Sequence, residues 1–394
     1  FFSMMSPTGR NDALSSPSSR PTHKRPKVLN KKKKSAFRTR RGNQETCCTS
    51  GGTSGVPILR LPLDLLSYVA EFLQSTCLTR VCSRLWTTLR HQHLSYHVRE
   101  PHVRCIVDEI RQRMPFLHTL TVRLEGNTLE QNDLEPLTAW QDAAFLHTST
   151  FYLRGAFLGE VCGPMLDALA QAPMLNTLEL SLKDHTLKKS KAVSVLGALK
   201  EIPSLMHLTV DLEYNNLREA CGETLGSLKA SPSLLTLKLM LKGNYLGALD
   251  MQALAALRGA PALHTLILDL GSNRLDAEVV EPLVMLKEAP CLQHLGLFLP
   301  FNNLCPKDVA SLAGLQSSCL HTLELDLRRN FLGPGGIRGL TALNGAPALR
   351  TLCLLLKFNA LGPADAEALA ELRAAPALES LTLDLEYNVL GPAG

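Results

Sequence analysis

Four aspartates, Asp211, Asp269, Asp326 and Asp384, recur about every 58 residues, and between them runs a series of asparagines: Asn215, Asn244, Asn273, Asn302, Asn330, Asn359 and Asn388, with Asn127 further upstream. Carboxylates and amides are the stuff of general acid–base work and of oxyanion binding, so these residues come first. A carboxylate pair acts on one bond only when its members stand within about 10 Å of each other. Single aspartates repeated at so long a period are expected too far apart for that. The asparagines recur too regularly to be catalytic and read as a structural ladder. His207 and His294 occupy a place where the sister segments carry Thr, which marks drift of a repeat rather than a metal pair. The eleven cysteines include no C-x-x-C pair and suit a reducing compartment. No phosphate-cradling loop, H-E-x-x-H or G-x-S-x-G appears, and "GPGG" at 333–336 is a turn, because its relatives read "GPAD" and "GPAG". The expectation is a chain with no catalytic group, no metal and no cofactor.

What positions these residues is one short strand written again and again. In "LHTLILDLGSNRL" the residues Leu266, Leu268 and Leu270 alternate and so share one face of a strand, with Leu263 and Leu275 closing the coil around them. Asn273 follows at the turn, where a buried amide can satisfy backbone groups left open by the loop. A helical stretch comes next, as in "DMQALAALRGAP", with Leu254 and Leu257 facing inward and Pro261 ending it. Aligned on Pro115, Ala144, Pro173, Pro203, Pro232, Pro261, Pro290, Ser318, Pro347 and Pro376, the unit steps by 28 to 30 residues. The ladder position changes to Ala156 and His185 in the second and third units.

This period and the pattern L-x-x-L-x-L followed by Asn resemble the leucine-rich repeats. The resemblance implies an α/β solenoid: a horseshoe with a concave parallel sheet and convex helices. Strands stack at about 4.8 Å and helices at about 10 Å, so an array of both curves with the sheet inside. Ten strands would line a wall about 45 Å long.

Residues between the leucines face out of that wall. Before the third leucine stand Asp211, Met240, Asp269, Phe298, Asp326, Leu355 and Asp384, so acidic and apolar alternate and the true unit is a pair of repeats. Such paired repeats resemble the ribonuclease-inhibitor-like subclass. Aspartates on adjacent strands would face each other at about 5 Å, and the apolar neighbours double that distance. These seven residues are expected to bind a protein with basic and apolar features. The competing reading is that duplication by pairs left the pattern without a ligand. Two places further on, Lys183, Glu213 and Lys242, and again Lys357 and Glu386, alternate in sign and predict a salt-bridged rim.

Ahead of the array, "VPILRLPLDLLSYVAEFLQSTCLTRVCSRLWTTLRHQHLSYH" at 56–97 shows two short apolar helical faces. It resembles an F-box through Leu61-Pro62, Asp64-Leu65-Leu66, Phe72-Leu73, Val81-Cys82, Trp86 and Leu89, with fewer residues than usual between "EFL" and "VCSRLW". The resemblance implies docking on a Skp-type adaptor of cullin-based ubiquitin ligases, with Leu61, Pro62, Leu65, Leu66, Phe72, Leu73, Val81 and Trp86 as contact residues. The other reading is a helical cap that binds nothing.

Residues 1–55 have the composition of a disordered tail. Their first fifty hold twelve Lys/Arg and two acids, so the remainder of a +5 chain sums to −5. "HKRPKVLNKKKK" and "RTRR" read as a nuclear import signal or as a solvated tail. Nucleic-acid binding is disfavoured by the acidic array and by Phe37 being the lone aromatic in the run. The opening "FFSMM" suggests a start at Met4 or Met5, and the last repeat reads as incomplete. No apolar run suits a membrane span or a signal peptide, so the expected location is nucleus or cytoplasm. The expected order is a basic tail (1–55), an F-box-like unit (56–97), a connecting helix and cap (98–114), and ten repeats (115–394). Together these readings point to the substrate-recognition subunit of a Skp–cullin–F-box ligase, holding an unidentified protein substrate on the concave face. The alternative is a leucine-rich-repeat structural scaffold whose F-box-like segment is only a cap.

Overall fold

The computed structural model describes Val69 and residues 92–99, 103–125, 138–154, 158–183, 196–218, 221–275, 279–317 and 319–391. The basic tail and the eight F-box-like positions Leu61, Pro62, Leu65, Leu66, Phe72, Leu73, Val81 and Trp86 lie outside them, as do Asn127, Ala156 and His185.

The alternating leucines form strands as their period demands. The described residues hold β1 (His93–Arg99), β2 (Thr119–Glu125), β3 (Thr148–Arg154), β4 (Thr177–Ser181), β5 (His207–Asp211), β6 (Thr236–Met240), β7 (Thr265–Asp269), β8 (His294–Phe298), β9 (Thr322–Asp326), β10 (Thr351–Leu355) and β11 (Ser380–Asp384). They make one sheet in sequential order, β1 to β11, and each pair is parallel with residues one repeat apart in register, as in Leu266 opposite Leu295. The repeat count gave ten strands; the eleventh is β1. It lies across the boundary drawn between 97 and 98, and its alternation of Leu94, Tyr96 and Val98 with His93, Ser95 and His97 extends the wall by one strand.

On the other face lie α1 (Val103–Arg113), α2 (Leu158–Leu169), α3 (Gly222–Gly226), α4 (Ala248–Ala255), α5 (Pro306–Leu312) and α6 (Pro363–Glu371). Here the pairwise repeat shows itself a second time. The strands ending in Met240, Phe298 and Leu355 are followed by α4, α5 and α6, whereas those ending in Asp269 and Asp326 are followed by 3-10 helices, Glu281–Glu288 and Arg338–Gly345; the strand ending in Asp211 departs from this, being followed by the five-residue α3.

The physical cause is a buried aspartate in the first turn of each of these three helices, α4, α5 and α6. Asp250, Asp308 and Asp365 are 2%, 3% and 0% exposed. Each accepts the N–H of the residue ahead of its own helix: Gly247 at 3.0 Å, Cys305 at 2.8 Å and Gly362 at 2.8 Å. That satisfies an orphan donor and sets a negative charge at the positive end of the helix dipole. Asp250 and Asp365 also reach into the preceding repeat. Asp250 accepts Gly222 N–H at 2.9 Å, and Asp365 accepts Gly335 and Ile337 N–H at 2.8 and 3.3 Å. These carboxylates tie the repeats of a pair together on the convex side.

Between the layers runs one apolar core from Leu94 to Leu372, in which Leu266, Leu268 and Leu270 are fully buried and Leu254 and Leu257 meet them from the helical side. Cys221 belongs to this core, whereas Cys291 and Cys353 are only half-buried. Cys353 stands on the middle of β10 between Leu352 and Leu354, so its side chain faces the open side of the sheet. Among the described residues no helix is long and apolar enough to cross a membrane.

Candidate protein-binding face

The asparagines do what the buried amide of a turn must do. Asn273 Nδ2 donates to the carbonyls of Leu241 and Leu270, and its Oδ1 accepts the N–H of Asn244 at 2.8 Å. Asn244 treats Asn215 in the same way, Asn359 treats Asn330, and Asn388 treats Asn359. Each amide therefore closes its own turn and the one before it. From Asn244 to Asn388 both ends of the side chain are consumed, and at Asn215 the Oδ1 that has no partner is itself buried, so the ladder offers no open group to a substrate.

No protein-family model and no curated protein matches the sequence. Among solved structures, a leucine-rich-repeat-containing protein, LegL7, from Legionella pneumophila aligns at 21% identity over 67% of this chain and 83% of its own, with a TM-score of 0.41. A protein from Bacteroides fragilis aligns at 17% identity over 68% of this chain and 76% of its own, with a TM-score of 0.38. The fold is a leucine-rich-repeat solenoid. Parallel strands in sequence order, leucines buried between sheet and helices and an asparagine ladder at the turns all follow from the repeat's spelling.

Its concave face is built of rows that cross the strands. The seven residues of the stripe form one such row: Asp211 is opposite Met240, Met240 opposite Asp269, Asp269 opposite Phe298, Phe298 opposite Asp326, Asp326 opposite Leu355, and Leu355 opposite Asp384. No two of these aspartates are neighbours. Six of the seven are half-buried, and Asp326 is 1% exposed. The row continues toward the N-terminus through Ser181, Tyr152, Arg123 and His97, a polar half unlike the striped one.

The aspartates are not equivalent. All four accept the backbone N–H two residues on, from Glu213, Gly271, Arg328 and Glu386 at 3.0–3.3 Å, so each helps to turn the chain out of its strand. Beyond that they diverge with the residue beside them. Asp211 also takes the hydroxyl of Ser181 at 3.0 Å. Asp326 is gripped by the Arg328 guanidinium through two bonds, at 2.8 and 2.5 Å, so the protein neutralises this carboxylate itself. Asp269 has glycine where Asp326 has Arg328, and it makes no ion pair among the described residues. Burial raises its pKa above the ordinary carboxylate value, while the Gly271 N–H pulls the other way.

Between Asp269 and Asp326 lies Phe298. Its ring leans over Gly296, where an added Cβ would stand 3.0 Å from Phe298 Cε2 and 3.4 Å from Ile267. Glycine in the middle of β8 thus leaves a seat in the sheet surface, and the ring lies in it with its outer face open. The ends of the striped half are tied by charge pairs: Lys183 with Glu213 at 2.5 Å, and Lys357 with Glu386. His294, at the Thr position, pairs with Glu324 at 3.0 Å rather than with a second histidine. Among the described residues no group of three or more His, Cys, Asp or Glu is arranged to hold a metal ion. Sequence reasoning found the stripe but not what sets its members apart, which depends on residues 271, 296 and 328.

Proposed function

We propose that the chain is a non-catalytic interaction protein that holds a protein partner against the concave wall, with Phe298 as apolar anchor and Asp269 as the carboxylate that meets a basic side chain. The observation that carries this reading is the pairing of a half-buried ring on the sheet with a half-buried acid that makes no ion pair among the described residues. An apolar anchor supplies most of the affinity of an interface, and a charge beside it selects a partner of opposite sign. Met240, Leu355, Asp211 and Asp384 extend the contact, and Asp326, already bound to Arg328, adds shape rather than charge.

The finer reading rests on the F-box-like residues Leu61, Pro62, Leu65, Leu66, Phe72, Leu73, Val81 and Trp86. By that resemblance the chain is the substrate-recognition subunit of a Skp–cullin–F-box ligase. It brings its captured protein near the ligase and acts through effective concentration rather than chemistry. A nuclear or cytoplasmic location, set by the basic run, belongs to the same proposal. The test is co-purification of the full chain with a Skp-type adaptor, beside the double variant Leu65→Ala/Phe72→Ala. Recovery by the parent and loss by the variant support the ligase reading, and no recovery by the parent ends it. The scaffold reading is favoured by one observation, that every stripe aspartate caps a backbone N–H and so has a structural task without any ligand.

A further inference from the structure

Along the edge of the array where the strands turn, a second surface emerges that owes nothing to the stripe. The residue before each ladder asparagine sits in the left-handed region: Tyr214 (φ 58°), Gly243 (71°), Ser272 (55°), Phe301 (55°), Arg329 (57°), Phe358 (59°) and Tyr387 (56°). A further set follows just after the asparagine, with Tyr245 (57°), Arg274 (61°) and Phe331 (58°). A side chain with a Cβ is disfavoured there, and a bulky ring most of all, whereas glycine is free of the clash, as at Gly243. Yet this edge carries rings in one repeat after another, and strain kept at a surface is a pointer to use.

The rings also stay in water. Phe301 is 52% exposed, Phe331 80% and Tyr387 68%. They are interleaved with cations. The Arg274 guanidinium lies 5.1 Å from the Tyr245 ring. Arg329 lies between two rings, 5.2 Å from Phe301 and 4.0 Å from Phe358. Phe358 in turn stacks on Tyr387 at 4.3 Å and 10°. Lys183 and Lys357 on this side have glutamates of their own. Among the described residues Arg274 and Arg329 make no ion pair, and the partners seen for their guanidinium groups are ring faces.

We propose that this rim docks an extended acidic segment of a partner protein, with two carboxylates set about three residues apart and apolar side chains between them. Arg274 and Arg329 belong to repeats two strand spacings apart, about 10 Å, and a segment in the polyproline II form, whose residues three apart share one face, covers that in about three residues. Carboxylates at the two ends meet the two guanidinium groups. The apolar residues between them lie on Phe301, whose exposed ring stands in the intervening repeat. A nucleic-acid strand fits less well, because bases need open ring faces, and here Arg329 and Tyr387 already cover both faces of Phe358.

The experiment is fluorescence anisotropy of the full chain with a labelled octapeptide containing Asp-Leu-Leu-Asp. The same peptide with Asn for both Asp and an oligothymidylate serve as comparison probes. The acidic peptide binds, the Asn peptide binds at least about tenfold more weakly, and Arg274→Gln/Arg329→Gln weakens the acidic peptide by about tenfold or more. Both effects shrink in high salt, and thermal melting of the variant matches the parent. Phe298→Ala leaves peptide binding unchanged, which separates this rim from the concave-wall proposal. The inference is overturned by any of four results: no binding of the acidic peptide up to about 1 mM, equal binding of the Asn peptide, undiminished binding by the double arginine variant, or displacement of the peptide by oligothymidylate.

Discussion

Asp365→Ala removes the acceptor from three backbone donors at once. In the parent, the fully buried carboxylate takes Gly362 N–H and Gly335 N–H at 2.8 Å and Ile337 N–H at 3.3 Å. A hydrogen bond to a charged group contributes about 1.5–3 kcal/mol, and a donor left buried and unpaired costs about 1–3 kcal/mol. Three bonds at the lower end, offset in part by no longer burying a carboxylate, give a net loss of about 3–5 kcal/mol. Asp365→Asn keeps the shape, but its NH2 must face at least one N–H. The better orientation retains the two short bonds in weaker, neutral form, so the loss should be about half that of Ala. Because the array is stabilised repeat by repeat, the damage should be local first. The assay is urea unfolding together with amide hydrogen exchange at Gly335 and Ile337. The reasoning is refuted if Asp365→Ala unfolds within about 0.5 kcal/mol of the parent, or if those two amides keep their protection.

Other consequences can be checked with single variants. Asp269 has a folded-state pKa raised above its unfolded value by burial, so the folded protein binds the proton more tightly and loses stability as pH rises between the two values. Asp269→Asn should therefore gain stability relative to the parent at neutral pH, a gain that vanishes on acidification below the carboxylate range in pH-resolved melting. Cys221 is buried, and desolvation, with the Asp250 charge second, raises its pKa. Its thiol should resist alkylation in the folded protein and react on unfolding, while exposed Cys105 reacts at once, as peptide mass mapping would resolve. Asn273→Ala leaves the N–H of Asn244 without its acceptor and takes one of two amide donors from each of the carbonyls of Leu241 and Leu270, which keep Asn244 and Asn302 respectively. It should cost about 2–5 kcal/mol in chemical denaturation, far more than Asn216→Ala on the exposed side of the turn.

The sequence announced whatever repeats with the period of the core. Leu266, Leu268 and Leu270 alternate because a strand does, and Asn273 recurs because each turn leaves the same carbonyls open. Both were therefore legible residue by residue. Strand β1 was less so, since its alternation is short and abuts the helical pattern before it. The convex aspartates were hidden in "GALD", "CPKD" and "GPAD", where an acid after a turn looks like a solvated loop. Only the structure shows Asp250, Asp308 and Asp365 buried against helix starts, with Asp250 and Asp365 accepting N–H groups of the previous repeat. The stripe was legible as a row, but the fate of each carboxylate depends on a neighbour outside the pattern: Arg328 for Asp326, Gly271 for Asp269. The aromatic rim escaped because Tyr214, Phe301 and Phe358 stand before asparagines that absorbed attention as the repeat's marker.

Whether the concave wall holds a protein partner through Phe298 is decided by paired capture and melting of the parent and Phe298→Ala. The ring lies on Gly296 outside the leucine core, so its removal should leave the melting temperature within about 2 °C of the parent. Proteins recovered specifically by the parent should be absent from the variant, and restored by Phe298→Tyr, which keeps the ring. A variant that captures the same proteins as the parent, or that melts far below it, would contradict the account.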